Sequence, residues 1–312
     1  MNTASIDQIG SYHMKIISTS QFLIWTFIPT YALGFLYYFQ IQVNPAFTSS
    51  ISALILLFCY MWIPALVTLL LNRHQLKQAM ILYQVRFNPN RGWLGAWLYP
   101  LAIILLTILI CLGFGWGTLD LQFNEYINSL GAQLSAEQLV QVKKQFTSMD
   151  SNTQIMLIIF QGLIAGTTIN ALAAFGEELG WRGLLLHNLR HLGFWKANLV
   201  IGFIWGLWHA PIIAAGYNFP QHNIGGIFMM IAATMVLSLL IGYVREQSGS
   251  VIAAAIFHGV FNALAGLPIV LIAGTSNIYR SSLGLAGIIG MLVLITVSYQ
   301  LFGLGRSAQT KA

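Results

Sequence analysis

The sequence predicts an all-α, polytopic membrane protein of about eight transmembrane helices, and three observations predict it. Apolar residues fill 57% of the 312 positions and charged residues only 7%, whereas a soluble domain carries roughly 25% charged residues. The 14 Lys and Arg and the 8 Asp and Glu leave long stretches that contain none of them. No period-2 alternation runs through those stretches, which excludes lipid-facing strands and leaves helices. A chain this poor in charge cannot cover a water-facing surface, and global disorder or nucleic-acid binding is excluded with it.

The opening residues are polar and lack the basic region, short apolar run and cleavage site of a signal peptide, so insertion is expected to rest on the first span itself. Apolar segments then follow at 19 to 43, 51 to 71, 95 to 116, 154 to 175, 198 to 216, 224 to 244, 251 to 272 and 284 to 304, each 19 to 25 residues long. A helix rising 1.5 Å per residue needs about that length to cross a hydrocarbon core ~30 Å thick. Leu184, Leu185 and Leu186 allow the fourth helix to continue past Phe175. One integral membrane domain is expected to cover residues 1–312, with no repeat or soluble domain.

Between the third and fourth spans, SAEQLVQVKKQF reads as a short amphipathic interfacial helix. Ser135 and Gln138 fit a capping box, and Leu139, Val142 and Phe146 line one face. HQLKQAMILYQVRFNPNRGW is expected along the headgroups, with Pro89 and Asn90 turning into the third span. Trp181, Phe194 and Trp195 read as headgroup anchors, and Gly202, Gly206, Gly259 and Gly266 as points of close helix approach. Cys59 and Cys111 have no partner spacing and read as packing residues.

With both termini cytoplasmic, Lys15, Arg73, Lys77, Arg86, Arg91, Arg182, Arg190, Lys196, Arg245, Arg306 and Lys311 lie inside, and only Lys143, Lys144 and Arg280 outside. That asymmetry follows the positive-inside rule. It also explains the net charge of +6 without an acidic partner.

Two histidines, His209 and His258, lie inside apolar segments, where an ionisable side chain is costly unless it faces a cavity or finds partners. His258 and Asn262 are four residues apart, on one face of a helix. Trp205 stands one turn before His209 and can wall a pocket beside it. After the fourth span comes FGEELGWRG. There Glu178 and Arg182 have i, i+4 spacing for an ion pair, and Glu177 is rotated ~100° away from them. If the fourth helix runs to Leu186, then Glu177, His209, His258 and Asn262 can meet at one depth.

A glutamate to take a proton from water, a histidine to orient it, and a histidine with an amide to hold an oxyanion are the parts of a peptide hydrolase. No GxSxG, no HExxH and no intramembrane aspartate is present. Zinc is an alternative that the sequence leaves open, with Glu177, His209 and His258 as ligands. No cofactor is required in the preferred reading, because an asparagine is a poor zinc ligand and oxyanion donation accounts for Asn262 more directly.

The set Glu177-Glu178-Leu-Gly-Trp-Arg182, then Trp205-Gly-Leu-Trp-His209, then His258-Gly-Val-Phe-Asn262 resembles the three motifs of the CPBP family, the CAAX proteases and bacteriocin-processing proteins also called Abi. The likeness covers spans four to seven, with wording nearer the prokaryotic branch. Trp205 stands where the family commonly has phenylalanine. The resemblance implies a catalytic core at 154–272, preceded by accessory spans and an outer loop in 1–153. It implies Glu177 as catalytic, His209, His258 and Asn262 as its partners, and Arg182 as support. It points to an intramembrane endopeptidase in a bacterial inner membrane, acting on a membrane-associated peptide or protein. The alternatives are a non-catalytic immunity or scaffold protein that binds a peptide in the same cavity, and a transporter.

Overall fold

The structure, a computed structural model, describes residues 17–44, 47–48, 50–131 and 134–305. Lys15, Arg306 and Lys311, which the charge argument counted, lie outside the described residues. The chain is an all-α membrane protein. Its elements are α1 Thr19–Val43, α2 Ile51–Leu71, α3 Leu76–Leu82, α4 Gly95–Gly113, β1 Thr118–Leu119, α5 Asn124–Leu130, α6 Ala136–Thr147, α7 Ser151–Thr167 and α8 Ile169–Glu178. A π-helical turn, Leu179–Leu185, leads into α9 Leu186–Leu189. Then come α10 Gly193–Trp208, α11 Ala210–Ala214, α12 Asn223–Ser248, α13 Val251–Leu264, α14 Leu267–Leu271, β2 Ile272–Ala273, α15 Asn277–Arg280 and α16 Leu285–Phe302.

Among the described residues, six helices are long and apolar enough to cross a membrane, or up to seven if the bent pair Ser151–Thr167 with Ile169–Trp208 counts as one span. That test falls short of the expected eight at the fourth and fifth segments. The fourth breaks at Thr168, where the axis bends by 47°, and then runs on through the π turn to Leu189. The fifth is a helix of only 16 residues that ends at His209. Ser18, Ser50, Ser135 and Asp150 cap α1, α2, α6 and α7, and α6 carries the expected capping box. Hydrogen bonds from Thr153 hold the exposed Asp150 carboxyl below the usual carboxylate range.

The helices approach through small residues, because lipid provides no hydrophobic drive for packing helix on helix. A side chain on Gly259 would collide with the Gly166 carbonyl and the Ala171 amide, so α13 lies hard against α7 and α8. A Cβ on Gly176 would sit 2.7 Å from the Met61 carbonyl, and one on Gly180 2.5 Å from the Pro64 side chain, which brings α2 onto α8. Gly202 and Gly206 do the same for α10 against α12. Gly266 does not: nothing lies within 4 Å of its would-be Cβ, because it faces a cavity.

Polar contacts tie the loops into two ends. At one, Arg86 Nε donates to the Gly249 carbonyl at 2.9 Å, Asn90 to Ser248 at 3.0 Å, Ser250 to Arg86 at 2.6 Å, and Asn188 to Ile17 at 2.8 Å. The segment expected to lie along the headgroups is therefore folded onto the start of α13. Arg245, buried at the foot of α12, holds it through Tyr83 and Gln84 and also reaches the Arg182 carbonyl. At the other end, β1 pairs antiparallel with β2, and Arg280 pairs with Glu125 at 2.5 Å. Trp181 and Phe194 are buried, not headgroup anchors. Trp181 meets Phe22 and Trp208 edge-on, because the helix that carries it passes through the core.

Replacing Gly259 with leucine is expected to lower the thermal midpoint of the detergent-purified protein by the equivalent of about 1–3 kcal/mol, as overpacking does. Gly266→Ala, with open space beside it, is expected to leave the midpoint unchanged in the same fluorescence melt.

Candidate active site

Glu177 sits on the last turn of α8, 2% exposed, and accepts a hydrogen bond at Oε2 from the Trp205 indole at 2.6 Å. The next residue, Glu178, points elsewhere, as the helical rotation requires. It is fully buried, and its Oε1 receives both Arg182 Nη1 at 3.1 Å and His258 Nδ1 at 2.9 Å. The expected ion pair is present, but Glu178 does more than hold its own helix: it ties α8 to α13. The π turn between Glu178 and Leu186 inserts its extra backbone where these groups converge, and such turns gather at functional sites.

Trp205 joins the two carboxylates. Its N–H goes to Glu177, the Arg182 guanidinium lies 4.7 Å from its ring centroid, and the His258 ring meets it edge-on at 5.1 Å. A cation over an indole and a perpendicular imidazole are both favoured placements at an aromatic ring. The sequence offered Trp205 as a wall; the structure adds an N–H donor that phenylalanine would lack.

His209 follows α10, and its Nδ1 lies 2.8 Å from the Trp205 carbonyl. A carbonyl can only accept, so Nδ1 carries the hydrogen, and in the neutral ring Nε2 keeps a lone pair. His258 is held from behind in the same manner, by a carboxylate at Nδ1, which leaves its Nε2 edge free. Asn262, one turn further along α13, is exposed and makes no hydrogen bond to the other described residues.

These side chains share one cavity of about 460 Å³. Glu177, Trp205, His209, His258 and Asn262 all line it, at the meeting of α2, α8, α10, α12 and α13. Glu178 and Arg182 lie behind the wall. Asn170 and Tyr217 also line the cavity and were missed by sequence reasoning. Asn170 carried a signal, a polar side chain in an apolar segment two helical turns before Glu177. Tyr217 carried none, because the turn after α11 brings it back over the site.

The arrangement can hold a water between a carboxylate and an imidazole lone pair, opposite an amide and a second imidazole. As a metal cage it does not fit: among the described residues no group of three His, Cys, Asp or Glu stands close enough to share an ion. Each donor is engaged separately, Glu177 by an indole and His258 by a second carboxylate.

Residues 154–264 match the family model described as type II CAAX prenyl endopeptidase Rce1-like. A "CAAX prenyl protease 2" from Methanococcus maripaludis is 27% identical over 168 residues, which are 52% of this chain and 51% of that protein. The chain thus spans about half the length of the curated relative it matches. The family-model match spans α7 to α13, which carry Glu177, Trp205, His258 and Asn262.

Breaking the buried pair from one side should cost much more than removing it. Arg182→Leu leaves Glu178 charged in a dry interior, and about 3–5 kcal/mol of stability is expected to be lost. Glu178→Gln combined with Arg182→Leu is expected to recover part of that, read as melting midpoints in a double-mutant cycle.

Proposed function

We propose that this chain, built around an Rce1-like core, is an intramembrane endopeptidase that hydrolyses a peptide bond in a membrane-associated peptide or protein. The observation that carries the reading is the convergence of Glu177, His209, His258 and Asn262 on one cavity, with Nδ1 of both histidines engaged from behind. Residues 154–272 are the catalytic core, and spans one to three with the 117–153 loop are accessory.

Water lies between the free oxygen of Glu177 and Nε2 of His209. Glu177 takes its proton as the hydroxide attacks the scissile carbonyl carbon. The charge that develops on the carbonyl oxygen falls to the Asn262 amide and the His258 imidazole. Such donors act with most effect where water is excluded and they need not reorganise. Collapse of the tetrahedral intermediate breaks the C–N bond, and the leaving amine receives the proton held by Glu177. Trp205 keeps one Glu177 oxygen occupied and so fixes the direction of the other. Glu178 and Arg182 set the imidazole of His258 from behind.

The excess of basic residues in alternate loops supports cytoplasmic termini, and the motif wording fits a bacterial inner membrane. The family name supports a CAAX-type cut near a substrate's C-terminus.

Glu177→Gln should abolish turnover while leaving the protein folded, and membrane proteomics of cells carrying it should reveal an uncut client that disappears when the wild-type chain is restored. Identical peptide profiles in the two strains would favour binding alone. Asn262→Ala is expected to lower kcat about 10²–10³-fold, as loss of one oxyanion donor does, with KM little changed in a fluorogenic peptide assay. Trp205→Phe keeps the aromatic wall but not the N–H; a smaller fall in kcat at unchanged melting temperature is expected.

A further inference from the structure

On α2, α10 and α13 the cavity occupies one half. α2 contributes Leu54 to Met61, its first turns, and α10 Trp205 to Trp208, its last; α8 lines it along its length, from Ile169 to Glu177, and α12 at its middle, from Met230 to Leu237. On α13 the lining starts at His258 and continues through Asn262 to Ile269 on α14. Those halves all lie toward the end where β1 pairs with β2 and Glu125 holds Arg280. Toward the other end the space is filled, because Trp181, Arg182, Leu184 and Leu185 are all 0% exposed. The catalytic groups are thus the floor of a pit with its mouth on the 117–153 side.

The two ends differ in charge. Among the described residues, Arg73, Lys77, Arg86, Arg91, Arg190, Lys196 and Arg245 stand at the closed end with a single loop acid, Glu246. At the open end Lys143, Lys144 and Arg280 face Asp120, Glu125, Glu137 and Asp150. Basic residues in short loops mark the cytoplasmic side, whereas acidic residues contribute little to orientation. The lining carries no Lys, Arg or Asp and no acid besides Glu177; its other polar groups are amides, hydroxyls, indoles and imidazoles.

We propose that the cavity opens to the non-cytoplasmic face, so that the enzyme takes its substrate from outside: an exported, membrane-bound polypeptide that offers an uncharged, largely apolar segment to the pit. This rests on the hydrolase reading for the reaction, but not for the direction of the mouth. The fold thus separates the two faces. The cytoplasmic end is stitched shut by the contacts of Arg86, Asn90, Asn188 and Arg245, and the cavity is reached from the other.

Cysteine labelling of intact cells tests the direction. In a background carrying Cys59→Ala and Cys111→Ala, single cysteines are introduced at Asn170 and, as a second reporter, Ile269 in the mouth, at Ser129 on the open end, and at Lys77 on the closed end. A membrane-impermeant maleimide is expected to label Asn170→Cys or Ile269→Cys together with Ser129→Cys in intact cells. Lys77→Cys should label at least tenfold less until the cells are permeabilised. The reverse pattern, or mouth cysteines that stay unlabelled before and after permeabilisation, would overturn the proposal. Peptide profiles with Glu177→Gln are read separately. Outside labelling with unchanged profiles sinks the hydrolase and keeps the orientation, and inside labelling with lost cleavage does the opposite.

Discussion

A single carboxylate buried between three helices organises this molecule. Glu178 is fully removed from solvent, and the same oxygen receives Arg182 from its own helix and His258 from α13. An ion withdrawn from water costs several kcal/mol unless its partners are well placed, so the contact constrains everything around it. The π turn has to present Arg182 to it, α13 has to lie at one rotation about its axis, and Trp205 has to stack its ring where guanidinium and imidazole can both meet it. Once His258 is pinned at Nδ1, Asn262 one turn on is aimed at the same cavity without any bond of its own.

That constraint can be met only because the helices come unusually close. Gly166 and Gly259 let backbones of α7, α8 and α13 touch, and Gly176 and Gly180 admit α2. Carboxylates and imidazoles are short, and at the spacing of leucine-packed helices they would not meet. Tight packing and site chemistry therefore share residues, while the broken, bent path through Thr168 moves the start of α8 aside and leaves room for the cavity. Peptide-sized space and close helix contact, which oppose each other in a straight bundle, are reconciled by that bend.

Burial also explains why the tryptophans were partly misread. Trp181 has the composition of an interface anchor, yet its helix segment passes through the protein interior, and no property of an indole in sequence distinguishes lipid headgroup from core. The same holds for Gly266, which lies among glycines that pack tightly but faces open space. Local type is legible in a sequence; what stands opposite is not.

The sequence by itself determined the membrane class, the apolar segments, the capping box at Ser135, the Glu178–Arg182 pair and the roll of four chemical groups, because each depends on spacing along one helix or on the cost of charge in hydrocarbon. Tertiary structure alone decided that the fourth span bends at Thr168, that His258 answers to Glu178 across helices, that Trp205 donates to Glu177, and that the pit opens away from the basic loops. These depend on how helices rotate and approach, and that is fixed by contacts between residues as many as 199 positions apart, which no local periodicity encodes.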